Sequence, residues 1–89
     1  MPKLDYPPPG SIVLLTWHDA AQRGPYWMAK AKAKAHAPVK VQTVGFLVKA
    51  SKRRVTVMQS FHRDQVGGVF SIPAAWVVQV TTLNRGKDA

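Results

Sequence analysis

The 89-residue chain contains no cysteine and no glutamate. Without cysteine it has no disulfide to hold a small fold together and no thiolate to bind zinc or act as a nucleophile. Without glutamate, its carboxylate side chains are four aspartates spread along the sequence, namely Asp5, Asp19, Asp64 and Asp88. General acid–base and nucleophilic catalysis need titratable groups that converge on one pocket. We therefore predict a non-enzymatic protein that uses no cofactor.

Metal binding is disfavoured because the potential ligands are scattered along the sequence. His18-Asp19 and the triplet at residues 62–64 (His-Arg-Asp) are the remaining candidates for chemistry. His18 and His62 would be neighbours if the first and third predicted strands ended at one rim of the fold. Dedicated metal sites, however, show close, paired ligand spacing, which is missing here. We predict no metal site and assign Asp19 to a turn.

Long apolar runs are also missing. No stretch approaches the roughly 20 apolar residues of a membrane span, and residues 1–10 (MPKLDYPPPG) carry no apolar segment of the signal-peptide kind. These absences favour a cytoplasmic protein with no membrane partner. The length suits one domain, so we predict a proline-rich arm over residues 1–10, one domain over residues 11–83 and a frayed tail over residues 84–89.

Positive charge dominates what is present. Thirteen lysines and arginines face the four aspartates, for a formal net charge of +9 at pH 7. Such an excess attracts nucleic acid, anionic membrane or an acidic protein surface. The basic residues form two sets toward opposite ends of the second predicted strand, and they make one stripe only if that strand bends. The first set is Lys30, Lys32, Lys34, His36 and Lys40, and the second is Lys49, Lys52, Arg53 and Arg54.

Period-two alternation and β-branched residues predict five short strands separated by polar turns. The strands cover residues 11–17, 39–48, 54–61, 69–72 and 77–83. In the second strand the apolar parity changes at Val44-Gly45, which predicts a β-bulge or bend there. The predicted interior comprises Val13, Leu15, Phe46, Val48, Val55, Val57, Ile72, Trp76, Val78 and Val80.

Residues 18–38 form a long excursion after the first strand. Alanine and lysine alternate over residues 29–37 and favour helix, but the run has no apolar stripe. We expect one or two helical turns at most, a mobile loop, solvated lysines, and Trp27 anchored on the core. If Tyr26 and Trp27 are exposed instead, they are the candidates for stacking on nucleobases.

The segment GGVFSIPAAWVVQV, residues 67–80, resembles the end of Src-homology-3 domains. There a glycine-rich strand leads to a proline, a 3₁₀ turn with an aromatic residue, and a closing strand; Gly68, Pro73, Trp76 and Val77 occupy those places. The acidic first loop and tyrosine-rich first strand that bind proline-rich peptides in that family are missing. The resemblance implies an all-β, five-stranded antiparallel barrel of the Src-homology-3-like kind without that ligand site. An OB-type barrel is the alternative.

Three further motifs occur in order: Trp17-His18-Asp19-Ala20, residues 43–48 (TVGFLV) and Ile72-Pro73. In these the chain is similar to short proteins encoded by bacteriophages and prophages. That resemblance implies a compact β-barrel located in a bacterial host cytoplasm, and it leaves the function open.

Two functions compete at this point, and neither uses a small-molecule substrate. The leading one is nucleic-acid binding through the phosphate backbone with little sequence readout, with contacts from residues 52–54 and the 30–40 loop. The alternative is a protein-interaction module, such as a phage-encoded modulator that docks on an acidic surface of a host protein. Residues 52–54 are stronger candidates for the binding site than the 30–40 loop, because a predicted hairpin turn presents their charge on an ordered support.

Overall fold

The computed structural model describes residues 4–20 and 27–84, and most of them lie in β-strands. Their elements are, in chain order, β1 (Ile12–Asp19), α1 (Lys30–Lys34), β2 (Val39–Ala50), β3 (Arg54–Met58), β4 (Ser60–His62), β5 (Gln65–Gly67), β6 (Phe70–Pro73), a 3₁₀ turn (Ala74–Trp76) and β7 (Val77–Leu83). Among these elements, no helix has the length and apolar character that a membrane crossing requires.

Five strands form one antiparallel sheet in the order β6-β3-β2-β1-β7, while β4 and β5 form a separate hairpin. The twelve-residue strand β2 links the two halves of the sheet, because it pairs with β1 over most of its length and with β3 near its end. Phe46 belongs to both pairings, opposite Ile12 and opposite Met58. The predicted all-β class and the five antiparallel strands are thereby confirmed.

The core lies on one face of this sheet, called here the inner face. Leu15, Leu47 and Ile72 are its largest fully buried side chains, and they come from β1, β2 and β6. Burying a side chain of this kind contributes about 1.5–3 kcal/mol relative to leaving it in water. The buried cluster consists of Val13, Leu15, Trp17, Leu47, Val55, Val57, Ile72 and Val77. Five predicted interior residues are thus confirmed: Val13, Leu15, Val55, Val57 and Ile72.

The predicted change of parity at Val44-Gly45 is wrong. Gly45 and Leu47 are both buried, so inward alternation continues through the glycine. The irregularity falls later, where the register with β3 shifts between Leu47 and Lys49. Phe46 is consequently only half-buried, and Val48 is exposed rather than interior.

Gly45 has a packing role instead of a bending role. A Cβ atom at this position would lie 3.1 Å from the Val57 Cβ atom and 3.1 Å from the Met58 carbonyl oxygen. Contacts of that length are tighter than side chains normally make, so β3 can approach β2 this closely because residue 45 has no side chain.

A second register shift changes which residues of the last strand, β7, face the core. β7 pairs Gln79 with Thr16 and Val77 with Trp17, so Val78 is the extra residue of a bulge. Val77 is therefore buried, whereas Val78, predicted as interior, is exposed. Trp76 is also exposed rather than interior, and Val80 is partly buried against the core.

The described part of the proline-rich arm runs along the core. Leu4 and Tyr6 are partly buried against it, and removal from water raises the pKa of the Tyr6 phenol above its ordinary value of 10.0. The arm joins the sheet through two backbone hydrogen bonds. The Gly10 amide donates to the Leu47 carbonyl (2.7 Å), and the Leu47 amide donates to the Ser11 carbonyl (2.8 Å). With φ at +94°, Gly10 occupies a conformation that favours glycine.

The third predicted strand is shorter than expected, because β3 ends at Met58. Residues 60–67, predicted as strand and turn, form the β4–β5 hairpin. Its Phe61 ring meets Phe46 edge-on at a centroid distance of 5.3 Å, on the face of β2 opposite the core. Val66 pairs with Phe61 and is exposed, so this outer face carries an apolar patch.

Candidate functional site

The loop between β2 and β3, with the first residue of β3, presents three adjacent cations, Lys52, Arg53 and Arg54, called here the basic tip. All three are exposed. The Ser51 hydroxyl orders the backbone beneath them: it donates to the Arg54 carbonyl and accepts from the Arg53 and Arg54 amides, each at 3.2 Å. The Ser51 amide adds a bond of 2.9 Å to the Arg54 carbonyl. Serine hydroxyls stabilise tight turns in this way, so the charges project from an ordered support.

The basic tip is also joined to the 3₁₀ turn. The Ala74 amide donates to the Arg53 carbonyl at 2.9 Å, and Arg54 lies opposite Pro73 in the β3–β6 pairing. The 3₁₀ turn has no side-chain cap, so this bond to the tip satisfies one of its first amides. The two loops therefore form one continuous edge of the molecule.

Positive charge at the tip is not offset by nearby acidic residues in the sequence. No aspartate or glutamate stands between Asp19 and Asp64. The strands beside the tip, namely β2, β3 and β6, which pairs with β3, contain none either. Lys49 adds a fourth exposed cation close to the tip, opposite Thr56. The second predicted basic set is thus brought together at the end of one hairpin, formed by β2, the ordered turn and β3.

The first predicted basic set is arranged differently. Lys30, Lys32 and Lys34 lie on α1, which has five residues and buries none of them. At about 100° per residue, Lys30 and Lys34 share one side of the helix and Lys32 projects from the other. The predictions of a short helix and of exposed lysines are confirmed.

Lys40 lies in β2, opposite His18, near the beginning of the strand. Lys49 lies nine positions further along the same strand, which at about 3.3 Å per residue is about 30 Å of chain. The two basic sets lie toward opposite ends of β2, and the second is held by the side-chain hydrogen bonds of Ser51.

The predicted anchoring of Trp27 on the core is wrong. Its side chain is 84% exposed, and residues 27–34 bury no apolar side chain that could hold this segment on the core. Trp27 therefore keeps the exposure that base stacking would need. Tyr26, the other candidate for stacking, lies outside the described residues.

A cluster of three aromatic rings lies beside the basic tip and was missed at the sequence level. Trp17 of β1 is only 6% exposed, and its indole N–H donates to the Thr43 hydroxyl at 3.0 Å. Trp76 stacks on it with centroids 6.3 Å apart and ring planes 14° apart. Phe70 meets it edge-on at 5.8 Å. Trp76 is 39% exposed and Phe70 is 41% exposed, and these two rings are called here the aromatic platform.

Position in the chain is the signal that could have revealed the platform. Trp76 stands in the turn between β6 and β7, the two outer strands of the sheet, where a large side chain is covered from one side only. The sequence prediction instead assigned Trp76 to the interior, as the general preference for buried aromatics suggests.

Residues 4–20 and 27–84 contain no group of three or more histidine and aspartate side chains placed so that they could hold a metal ion. His18 lies near the end of β1, whereas His62 lies in the β4–β5 hairpin. Comparisons of the chain with protein-family models, with curated proteins and with solved structures found no match. The function is therefore inferred from the geometry of the chain itself.

Proposed function

We propose that this chain is a non-enzymatic nucleic-acid-binding module that holds the phosphate backbone through the basic tip. The observation that carries the proposal is the ordered turn on which Ser51 holds Lys52, Arg53 and Arg54 exposed and adjacent. Duplex DNA carries one charge per roughly 1.7 Å of its axis, so a compact group of cations meets several phosphates at once. Arginine also binds phosphate oxygens in bidentate geometry.

Little sequence readout is expected from such contacts. Lysine and arginine side chains that meet phosphates fix position on the strand and carry no sequence information. The lysines of α1 and Lys40 are exposed as well and would add contacts of the same kind. Nucleic acids of different sequence should therefore bind alike.

For the fold, we propose that the sheet curls into a barrel of the Src-homology-3-like kind, with an OB-type barrel as the alternative. The support is twofold. The outer strands β6 and β7 are consecutive and joined by the 3₁₀ turn, and Trp17 of β1 contacts Phe70 of β6 although β2 and β3 lie between them in the sheet. Nuclear Overhauser effects between the Trp17 and Phe70 rings would support this curl, and their absence in a folded sample would argue against it.

A second candidate function is favoured by the outer apolar patch. Val44, Phe61 and Val66 are all exposed on the side of the sheet opposite the core or on the adjoining hairpin. Contiguous apolar surface often marks a protein-binding site. The chain would then be a protein-interaction module, and its net charge of +9 would favour an acidic surface on the host partner. Its phage relationship and its cytoplasmic location stay predictions under either function.

The salt dependence of binding tests the leading proposal. With four to five phosphates neutralised on a duplex, log affinity should fall with log salt at a slope near −4. Replacing Lys52, Arg53 and Arg54 together by alanine should flatten the slope by about two to three units. The matched control replaces Lys30, Lys32 and Lys34 by alanine, which removes the same charge from α1 and should change the slope less.

Three outcomes would count against the proposal. Equal effects of the two triple variants would mean that net charge alone attracts the nucleic acid. A dissociation constant weaker than about 10⁻⁴ M at physiological salt would lie beyond ordinary non-specific binding. That weak binding, together with a tight protein partner whose binding depends on Phe61 and Val66, would favour the second candidate.

A further inference from the structure

We propose that Trp76 and Phe70 form a stacking platform for unpaired bases, so that the ligand of this module is single-stranded nucleic acid. The inference rests on the proposed phosphate binding at the basic tip and adds the class of nucleic acid. Stacking on aromatic side chains beside a basic surface is how proteins bind single strands without reading their sequence.

The exposure of the two rings is the first observation. Large aromatic side chains are mostly buried, and a small domain gains much of its stability from burying them. Trp76 and Phe70 nevertheless keep about two-fifths of their surfaces in water, 39% and 41%, while the Trp17 ring between them is almost fully buried. The platform therefore presents aromatic surface outward from a buried aromatic support.

Rigidity is the second observation. Trp17 is fixed by its hydrogen bond to the Thr43 hydroxyl, and its ring carries Trp76 in near-parallel contact. Because Trp17 already holds Trp76 in place, a base can stack on Trp76 with little entropic cost of ordering the protein.

Proximity to the cations is the third observation. Trp76 ends the 3₁₀ turn whose first amide bonds to the Arg53 carbonyl, so platform and basic tip share one edge of the molecule. A strand whose phosphates meet the tip can place an unstacked base on Trp76. Duplex bases are already stacked and paired, and their faces become accessible only at the energetic cost of unstacking.

The test compares an oligothymidine strand with a blunt-ended duplex that has no unpaired bases, by fluorescence anisotropy at one fixed salt concentration. Trp76→Leu keeps an apolar side chain over Trp17 but removes the ring, and it should weaken oligothymidine binding by about 5- to 150-fold while duplex binding stays within twofold. Trp76→Phe keeps a ring and should retain most of the affinity. Phe61→Leu, which removes an exposed ring from the outer face, is the matched control and should change neither affinity.

Thermal unfolding of each variant shows whether it is folded at the assay temperature, and Phe70→Leu provides a second test if Trp76→Leu is not. Equal weakening for both ligands, or none, in a folded Trp76→Leu variant would overturn the stacking platform. Weakening that follows Trp27→Leu instead would overturn it as well. If the triple variant of the basic tip binds both ligands as the parent does, the proposed phosphate binding itself fails, whatever Trp76 does.

Discussion

The indole N–H of Trp17 donates a hydrogen bond to the hydroxyl of Thr43, across the β1–β2 pairing, at 3.0 Å. Trp17 is almost fully buried, so its polar N–H needs a partner inside the protein. Thr43 supplies that partner and at the same time fixes the ring on which Trp76 and Phe70 pack. One hydroxyl thus connects the core to the aromatic platform.

Thr43→Val tests that connection. The substitution keeps the side-chain shape and leaves the Trp17 N–H without its acceptor, so the free energy of unfolding should fall by about 1–3 kcal/mol. Urea denaturation followed by tryptophan fluorescence measures the change. Thr81→Val, at an exposed position of β7, is the control and should stay within about 0.5 kcal/mol of the parent. A similar loss of unfolding free energy in both variants would show that the hydrogen bond from Trp17 to Thr43 does not stabilise the fold.

Gly45→Ala tests the close approach of β3 to β2. The added Cβ atom would press on the Val57 side chain and the Met58 carbonyl, so unfolding should become easier by about 1–3 kcal/mol. Gly67→Ala is the matched control, because a Cβ atom there would meet nothing within 4 Å. Calorimetric melting of both variants gives the comparison, and an unchanged melting temperature for Gly45→Ala would contradict the packing described here.

Ser51→Ala tests the order of the basic tip. It removes one donor and the acceptor of two amides from an exposed turn, which should cost about 0.5–1.5 kcal/mol of stability. All charges remain, so any loss of nucleic-acid affinity reports on their placement. We expect weaker binding with an unchanged salt slope, measured by anisotropy over a salt series. Ser60→Ala, at an exposed serine of the β4–β5 hairpin, should leave affinity unchanged; equal losses would contradict the role of Ser51.

Tyr6 predicts a dependence of stability on alkaline pH. Burial raises the pKa of its phenol above 10.0, so the folded chain keeps the phenol proton to a higher pH than the unfolded chain does. The stabilisation is complete below about pH 10 and is lost as the pH rises through the folded-state pKa. Between about pH 8 and about pH 11 the parent should lose more stability than Tyr6→Phe, by urea denaturation. Parallel losses in the two proteins would refute this linkage.

The strand pattern of the sheet is readable from the sequence because turns and alternation are local signals. β7 spans the predicted residues 77–83, and the 3₁₀ turn follows Pro73 as expected from the proline and the aromatic after it. The parity of β2 is not readable, since apolar residues occupy both of its faces. Val44 and Phe46 lie on the outer face, where Phe61 from the β4–β5 hairpin covers part of it, and Leu47 faces the core. Only the tertiary contact decides between the two faces.

The candidate site, like the sheet, is only partly predictable from the sequence. The run Lys52-Arg53-Arg54 stands out in the sequence, and a polar turn was expected there. Trp76 precedes β7, and the register shift beside Trp17 turns the next residue, Val77, inward. A register shift is set by how two distant strands meet, so residues near Trp76 alone do not predict it.

β1 lies between β2 and β7 in the sheet, and this order has a consequence for the newly synthesised chain. The ribosome makes β1 first among the strands and β7 last, with 57 residues between Asp19 and Val77. At about 5–20 residues per second, one edge of the apolar strand Ile12–Asp19 stays open for several seconds of translation. An open apolar edge invites pairing with other chains. Neighbouring nascent chains carry the same positively charged residues, so electrostatic repulsion would keep them apart during that interval.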